Sequence, residues 1–495
     1  MNNNYEKIEI SEEMFLNYHL MHPGGESEPG DPNAVFFIDG TYHLHYIIRH
    51  TWHGTPTNPP SSLVPFKHSY SFIHVTSNDM LHWKWNKTKL QPSFTGHGMF
   101  SGTGFMTKDD QPAIIYHGYG SERNHIVLAK DRMLSDWENP FSVEPKKEDG
   151  EIASIRHWDP DCFIINNTYY AISGGREQPL FKSQDLVNWS FVGNFLKHEM
   201  SDVAIGEDIS CPNFFKIRNK WMLLCISHPF GCRYYIGDWD SKNEQFIPET
   251  HGRMNWPRPD QSIYETENRD FFAPESVLIP DGRRIMWAWL RIDNIRKKTI
   301  QSLPRELSLT ENGSLRISPI RELESLRNKL VTINNITVTP PEAPHGNSST
   351  NQIAKLDGDS HEIKITIDRN QAYRKRFSFQ IFSGNEKQGF PVMIHPESRT
   401  IRIGTTEAPF AVEELPEDED LELRIFIDKY LIEVFANNRQ AVVGTYMEYK
   451  SANSLSFYVY GDSTTIRKIE IWKLKATNQG LLDAIENPIW EPKAE

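Results

Sequence analysis

The feature that most constrains the fold is a repeat of about fifty residues. Trp83, Trp137, Trp189, Trp239 and Trp289 recur at intervals of 50 to 54 residues, and the first three end a short motif of charged and apolar residues. A period of this length with several strands per unit is typical of propeller blades. About five such units fit between residues 31 and 320. The alternative explanation is coincidence among 13 tryptophans.

Turn-forming pairs divide the apolar runs inside these units. Asp39-Gly40, Asn166-Asn167, Arg218-Asn219 and Asp281-Gly282 each lie between two runs rich in aromatic and β-branched residues. Such pairs favour the tight turns of antiparallel hairpins. We therefore predict that each unit is built on a hairpin.

The pattern changes near residue 320. Residues 318–330 are charged and helix-like, and residues 339–351 are rich in Pro and Ser. From about residue 360, apolar and polar positions alternate, as in a sandwich whose sheets each bury one face. The predicted fold is all-β: a five-bladed β-propeller over 1–320, a linker over 321–338 and a C-terminal β-sandwich over 339–495.

Charge and composition exclude several classes of function. The net charge of −13 argues against a nucleic-acid partner, because phosphate binding needs a basic face. No apolar run reaches the ~18 residues that would span a membrane. The first residues contain no secretory signal, which predicts a cytoplasmic protein. The histidines and four cysteines have no metal-ligand spacing, so we expect no metal and no cofactor.

Carboxylates stand directly before three of the predicted hairpins. Asp31 precedes the first, Asp159 the third, and Glu207 and Asp208 the fourth. In a propeller these positions converge at one end of the central channel, and a pocket lined by carboxylates suits acid–base and nucleophilic chemistry on a glycosidic bond. The alternative is that Asp31 and Asp159 serve only as turn formers and that Glu207 and Asp208 form a solvated loop pair.

The segments before the other two predicted hairpins contain further polar residues. Phe100-Ser101-Gly102 precedes the second hairpin, and its small polar residues suit close approach of a sugar ring. Glu275 precedes the fifth hairpin and adds another carboxylate.

Stretches along most of the chain resemble glycoside hydrolase family 32, the invertases and fructan hydrolases. The matching stretches are His22-Pro23, Asp31-Pro32-Asn33-Ala34, residues 74–83, Phe100-Ser101-Gly102-Thr103, Trp158-Asp159-Pro160, Ser210-Cys211-Pro212-Asn213, Pro304-Arg305-Glu306-Leu307 and Ile432-Glu433-Val434-Phe435. The resemblance implies the same propeller and sandwich. It also implies a retaining hydrolase of β-fructofuranosidic or similar furanosyl bonds.

The resemblance assigns roles to particular residues. Asp31 corresponds to the nucleophile and Asp159 to the carboxylate that stabilises the transition state. Glu207 is expected to act as the acid and base, with Glu275 and Asp208 as alternatives. The residues expected to contact the sugar are Asn33, His74, Phe100, Ser101, Arg156 and Trp158.

Two departures from the family pattern bear on function. Trp158 occupies the position of the family's Arg before its transition-state Asp, and Ser210 occupies the position of its acid/base Glu. Serine is a poor proton donor to a sugar leaving group. The alternatives are therefore a hydrolase or transferase acting on another sugar, or a carbohydrate-binding relative without catalysis. The expected partner is a carbohydrate, and the sandwich is a candidate surface for a homodimer.

Overall fold

The chain is almost entirely built of β-strands. The computed structural model describes residues 10–52, 68–197, 200–254, 270–292, 295, 298, 300–340, 351–384 and 388–492. The described helices are short: α1 to α3 are Pro92–Thr95, Arg369–Ala372 and Gln479–Glu486. Three 3₁₀ helices lie at Glu12–Met14, Arg321–Leu326 and Val412–Glu414. The prediction of an all-β fold is confirmed.

The first part of the chain forms five successive sheets, each built from neighbouring strands. Strands β1 to β4 are Glu28–Ile38, Thr41–Thr51, His68–Ser77 and Lys84–Asn86. Strands β5 to β8 are Gly98–Met106, Pro112–Tyr119, Arg123–Leu128 and Phe141–Ser142. Strands β9 to β13 are Pro145–Lys146, Pro160–Ile165, Thr168–Ser173, Pro179–Ser183 and Trp189–Asn194. Strands β14 to β17 are Ser210–Ile217, Lys220–Ser227, Gly231–Asp240 and Gln245–Arg253. Strands β18 to β22 are Phe271–Leu278, Arg284–Leu290, Ile300–Gln301, Arg305–Leu309 and Leu315–Pro319.

Three of the predicted hairpins form with two-residue turns, whereas the one at Asp281-Gly282 has a five-residue loop between Leu278 and Arg284. Ile38 pairs with Thr41, Ile165 with Thr168, and Ile217 with Lys220, which leaves two residues in each turn. The turn residues Asp39, Gly40, Asn166, Asn167 and Arg218 have positive φ angles, as hairpin turns of this kind require.

The tryptophan repeat has a structural basis in the first three sheets. Trp83, Trp137 and Trp189 are buried, and each indole N–H donates to a backbone carbonyl three residues earlier. Trp239 and Trp289 lie instead within β16 and β19, so they continue the spacing without repeating this turn.

One strand from each sheet lines one shared cavity of about 310 Å³. These inner strands are β1, β5, β10, β14 and β18, and Arg284 completes the walls. The five sheets are therefore arranged with their inner strands facing this cavity.

The second part of the chain consists of two six-stranded sheets. Strands β23 to β34 are Arg327–Val338, Asn351–Lys355, Ser360–Ile367, Arg376–Ser383, Phe390–His395, Thr400–Ile403, Thr406–Pro409, Leu421–Asp428, Leu431–Ala436, Gln440–Thr445, Ser454–Tyr460 and Thr464–Leu474. One sheet has the order β23-β34-β25-β30-β31-β32 and the other β24-β33-β26-β27-β28-β29. Alternating buried positions, such as Ile363, Ile365 and Ile367, supply their core.

The predicted linker is shorter in the structure. Residues 321–326 form a 3₁₀ helix, but residues 327–338 form β23, which pairs with β34 at the edge of the sandwich. Most side chains of this edge strand are exposed and polar, which gives it the composition of a linker. Most of the Pro/Ser-rich loop predicted over 339–351 lies outside the described residues.

The chain's first described segment joins the two parts. Asp428 accepts hydrogen bonds from the backbone N–H groups of Asn17, Tyr18 and His19 at 2.7 to 3.1 Å. The His19 ring lies between Asp428 and Glu433, and Glu433 also accepts from Arg305 of β21 at 2.7 Å. The side chains of His19, Asp428, Glu433 and Arg305 are all buried, so this network is a continuous contact between the first sheets and the sandwich.

Candidate active site

Four of the five inner strands are irregular where they begin. The pairing register shifts between Pro29 and Pro32, Met99 and Gly102, Ser210 and Asn213, and Phe272 and Glu275. Such bulges bend a strand and redirect its side chains. At Gly102 an added Cβ would lie 2.2 Å from the carbonyl oxygen of Ile115, so only glycine fits there.

The structure brings Asp31 and Asp159 together around Cys211. The Cys211 thiol lies 3.7 Å from Asp31 Oδ2 and 3.5 Å from Asp159 Oδ2, and its backbone N–H donates to Asp159 Oδ2 at 3.0 Å. Ser101 Oγ donates to Asp31 Oδ2 at 3.1 Å. Residues from four inner strands or their approaches thus meet at one point, as the sequence predicted for Asp31, Asp159 and Ser101.

Both carboxyl groups have raised pKa values. Burial raises the pKa of Asp31, against the hydrogen bond from Ser101 and the positive charge of Arg291. Burial and the negative charge of Asp31 raise the pKa of Asp159 to about 6, against the N–H of Cys211. Asp159 Oδ1 is buried and has no hydrogen-bond partner among the described residues, so it is an acceptor suited to a sugar hydroxyl.

Aromatic side chains form one side of the rim of the site, the opening above Asp31 and Asp159. The rings of Phe100 and Trp158 are 5.9 Å apart, and His117 lies 5.5 Å from Trp158. The exposed Arg156 guanidinium stacks over the Trp158 ring at 4.8 Å. Phe100, Trp158 and Arg156 therefore form one cluster beside Ser101 and Asp159, and their contact with a sugar stays a prediction.

Ser210 is completely buried at the position of the family's acid/base Glu. Its Oγ accepts a hydrogen bond from the indole N–H of Trp158 at 3.1 Å and donates to Asp208 Oδ2 at 2.7 Å. The ring Nδ1 of His228 lies 2.5 Å from the same carboxylate oxygen. Burial alone would raise the pKa of Asp208, but its hydrogen bonds with His228 and Ser210 lower it well below the usual range.

Glu207 is engaged in ion pairs on the same sheet. Arg253 donates to its two oxygens at 2.5 and 2.9 Å, and Arg233 lies 3.2 Å away. Burial raises the pKa of Glu207, but the hydrogen bonds and charges of the two arginines outweigh it and lower the pKa to about 2. A carboxylate that stays ionised at neutral pH is disfavoured as a proton donor, so this geometry argues against the predicted role of Glu207.

Asn33 and Glu275 belong to a second polar layer, two residues further along the inner strands. Asn33 Nδ2 donates to the backbone oxygen of Asp31 at 2.8 Å and its Oδ1 accepts from the backbone of Gly102. Glu275 is 1% exposed, and burial together with the charge of Asp161 raises its pKa well above the usual value. Burial therefore favours the protonated form of Glu275, which belongs to this second layer and not to the layer of Asp31 and Asp159.

His74 lies apart from the carboxylates. It is buried within the first sheet, where its ring stacks on His45 at 4.5 Å and bonds His43 at 2.9 Å. The structure thus corrects its predicted contact with the sugar, because β3 is separated from the inner strand β1 by β2.

Two residues at the site were not predicted from sequence. Cys211 is a free thiol that directly follows Ser210, and from the sequence we considered it only for metal-ligand spacing. His228 directly follows β15, the second strand of the hairpin that begins at Ser210, and the pairing of these two strands is the signal that could have placed it beside Asp208.

Family models cover both parts of the chain. The "Glycosyl hydrolases family 32 N-terminal domain" matches residues 29–319, and the "Glycosyl hydrolases family 32 C terminal" matches residues 322–473. The chain belongs to glycosyl hydrolase family 32. The predicted family and the predicted class of enzyme, a glycosidase, are confirmed.

Characterised relatives align over nearly the whole chain. The levanase of Bacillus subtilis (strain 168) is 23% identical over 90% of this chain and 68% of its own length. The raffinose invertase of Escherichia coli is 24% identical over 92% of this chain and 94% of its own length.

Solved structures share the fold. Sucrose-6-phosphate hydrolase from Lactobacillus gasseri superposes with a TM-score of 0.70 at 18% identity, covering 94% of both chains. Fructan 1-exohydrolase IIa from Cichorium intybus also gives 0.70 at 18% identity, covering 94% of this chain and 98% of its own. The fold is accordingly a propeller followed by a β-sandwich.

Two other properties concern the described residues only. They contain no group of three or more His, Cys, Asp and Glu side chains placed to hold a metal ion. None of their helices is long and apolar enough to cross a membrane.

Proposed function

We propose that this glycosidase cleaves β-fructofuranosidic bonds, in sucrose, fructo-oligosaccharides or fructans, with retention of configuration. The observation that carries the proposal is the pair Asp31 and Asp159, which meet at Cys211 beneath an aromatic rim. The relatives named above as levanase and raffinose invertase support a fructoside as the substrate.

In this proposal Asp31 attacks the anomeric carbon and forms a fructosyl-enzyme. Ser101 and Arg291 favour the ionised form that attack requires, since both lower the pKa of Asp31 against its burial. Asp159 accepts hydrogen bonds from ring hydroxyls and stabilises the positive charge that develops on the sugar ring. Asn33 holds Asp31 in place by donating a hydrogen bond to the backbone oxygen of Asp31.

We also propose that the five N-terminal sheets are the five blades of the propeller. The shared cavity supports this number, because one inner strand from each of the five sheets lines it, as expected of blades arranged around one axis. The domains then run over 1–320 and 327–495, with residues 321–326 as the connection.

A cytoplasmic location and a homodimer through the sandwich remain predictions. Light scattering would test the homodimer.

A second candidate function is carbohydrate binding without catalysis. It is favoured by Ser210, which replaces the family's proton donor and is fully buried in a hydrogen-bonded network. This candidate predicts binding of a fructoside by calorimetry with no sugar released.

The test is release of fructose from sucrose, sucrose 6-phosphate, levan, inulin and small fructo-oligosaccharides, using wild type and Asp31→Asn. The expected result is fructose from at least one substrate by wild type, and none by Asp31→Asn with unchanged melting temperature. Mass spectrometry after acid quench should find one fructosyl unit on the peptide containing Asp31. Binding without release by wild type would instead establish the second candidate.

A further inference from the structure

The position of the family's acid is filled by a hydrogen-bonded chain that ends in an imidazole. Asp208 Oδ2 accepts from Ser210 Oγ and lies 2.5 Å from His228 Nδ1, while Asp208 Oδ1 accepts the backbone N–H of His228 at 2.9 Å. One carboxylate thus holds both the backbone and the ring of His228. This arrangement orients the imidazole as a carboxylate does in other acid–base sites.

We propose that His228, positioned by Asp208, is the proton donor and acceptor of this glycosidase. The inference rests on the proposed fructosidase function. It supplies the proton donor that Ser210 cannot provide. Asp208, an alternative acid in the sequence prediction, becomes a positioning residue.

The fold places His228 near the start of β14, within electrostatic reach of Asp31 and Asp159. It directly follows β15, whose Ile226 pairs with Ser210 at the start of β14. Its ring lies 6.1 Å from that of Phe272, which immediately precedes the bulge of the fifth inner strand. His228 therefore lies at the opening of the site, between the fourth and fifth sheets.

Exposure separates His228 from the other candidates. Its side chain is 43% exposed, so a substrate can reach it, whereas the side chain of Glu207 is 1% exposed and ion-paired. Glu275 is buried in the deeper layer. Of these groups, only His228 combines access from the mouth with a fixed carboxylate partner.

Three carboxylates lie within electrostatic reach of His228. Its charge acts on Asp208, Asp31 and Asp159, and lowers the pKa of each carboxyl against the effect of burial. By the same Coulomb attraction the three carboxylates stabilise a positive charge on the ring. Arg233 donates to the backbone oxygen of Asp208, and Arg291 acts on Asp31.

The proposed steps balance as follows. As an Asp31 oxygen forms a bond to the anomeric carbon, the bond from that carbon to the glycosidic oxygen breaks, and imidazolium His228 gives its Nε2 proton to this oxygen. The leaving alcohol departs neutral. Neutral His228 then takes a proton from water while the water oxygen bonds to the anomeric carbon and the Asp31 carboxylate leaves.

The experiment compares two leaving groups in His228→Gln. Sucrose needs protonation of its leaving oxygen, whereas 4-nitrophenyl β-fructofuranoside releases a stable phenolate without it. General acid catalysis contributes ~10²–10⁴-fold, so kcat/KM on sucrose should fall by that factor and on the aryl fructoside by less than ~10-fold. Azide, which needs no base, should speed turnover of the aryl substrate by the variant and yield fructosyl azide.

His82→Gln is the matched control. His82 forms a similar pair with Asp79, Nδ1 to Oδ2 at 2.7 Å, but it is exposed and lies on the outer side of the first sheet. This variant should retain wild-type rates on both substrates. Should His228→Gln fail to fold, Asp208→Asn replaces it, with the same selective loss on sucrose and a changed pH profile.

The outcomes separate the two proposals. Wild-type rates on sucrose in His228→Gln, or equal losses on both substrates, overturn the role of His228 while the fructosidase function stands on the wild type and Asp31→Asn. If wild type cleaves neither of these substrates nor any substrate used to test the proposed function, the proposed function fails and this inference fails with it.

Discussion

Glu207→Gln separates a role in stability from a role in catalysis. The wild-type carboxylate bonds both guanidinium nitrogens of Arg253 and lies 3.2 Å from the buried Arg233. Glutamine keeps the size of the side chain but removes the charge that both arginines face. We expect a less stable protein whose folded molecules still turn over sucrose at the wild-type rate.

The pKa of Glu207 sets the magnitude. It falls from 4.5 to about 2 on folding. At about 1.4 kcal/mol per unit, the ionised group contributes about 3 kcal/mol to the free energy of unfolding, which agrees with about 3–5 kcal/mol for breaking a buried pair. Because folding lowers this pKa, the contribution is complete above pH 4.5 and is lost as the pH falls toward about 2. At about pH 4 the difference between variant and wild type should be smaller by roughly 1 kcal/mol.

Urea unfolding at neutral pH and at about pH 4, with sucrose hydrolysis on the same samples, tests this expectation. The control is Glu249→Gln, because Glu249 pairs with Lys220 on the same sheet but is 49% exposed. That change should cost less than about 1 kcal/mol. The reasoning is refuted if Glu207→Gln unfolds like wild type yet loses hydrolysis of sucrose while retaining the aryl fructoside, since Glu207 would then be the acid.

Two further predictions concern buried ionisable groups. Asp159→Asn should abolish turnover yet raise the melting temperature near neutral pH, because burial raises the Asp159 pKa from 3.8 to about 6. Its ionisation therefore costs up to about 3 kcal/mol, a penalty that grows between pH 3.8 and about 6 and is complete above that range, so a lower melting temperature for the variant would contradict this. His19→Gln should destabilise the joint between propeller and sandwich, because burial lowers the His19 pKa but Asp428 and Glu433 raise it to about 9. The loss should be about 3 kcal/mol below pH 6.5 and vanish as the pH rises through about 9, so an undiminished loss in calorimetry at alkaline pH would contradict the assignment.

Local patterns were sufficient for the elements of the fold. Turn pairs such as Asn166-Asn167 fixed the hairpins, since their positive φ angles are a property of the residues themselves. The strands of the sandwich followed from alternation, as in Ile363, Ile365 and Ile367. The edge strand Arg327–Val338 resembles a linker in sequence, because most of its side chains are exposed to water and apolar and polar residues do not alternate along it.

The candidate site was predictable where residues lie at equivalent points of the repeat. Asp31, Ser101 and Asp159 meet because each stands at the start of an inner strand, and equal positions in repeated units face one axis. His74 belongs to an outer strand, and its apparent motif reflects the interior of the first sheet.

The sequence by itself determined the family, the hairpins and the positions of Asp31 and Asp159, because these depend on short stretches and a regular period. Only the tertiary structure decided the state of the acids near Ser210. Glu207 and Asp208 are adjacent in sequence, yet one pairs with Arg253 and the other with His228. The partners of a charged side chain come from strands distant in the chain, and those partners set its pKa and hence its chemistry.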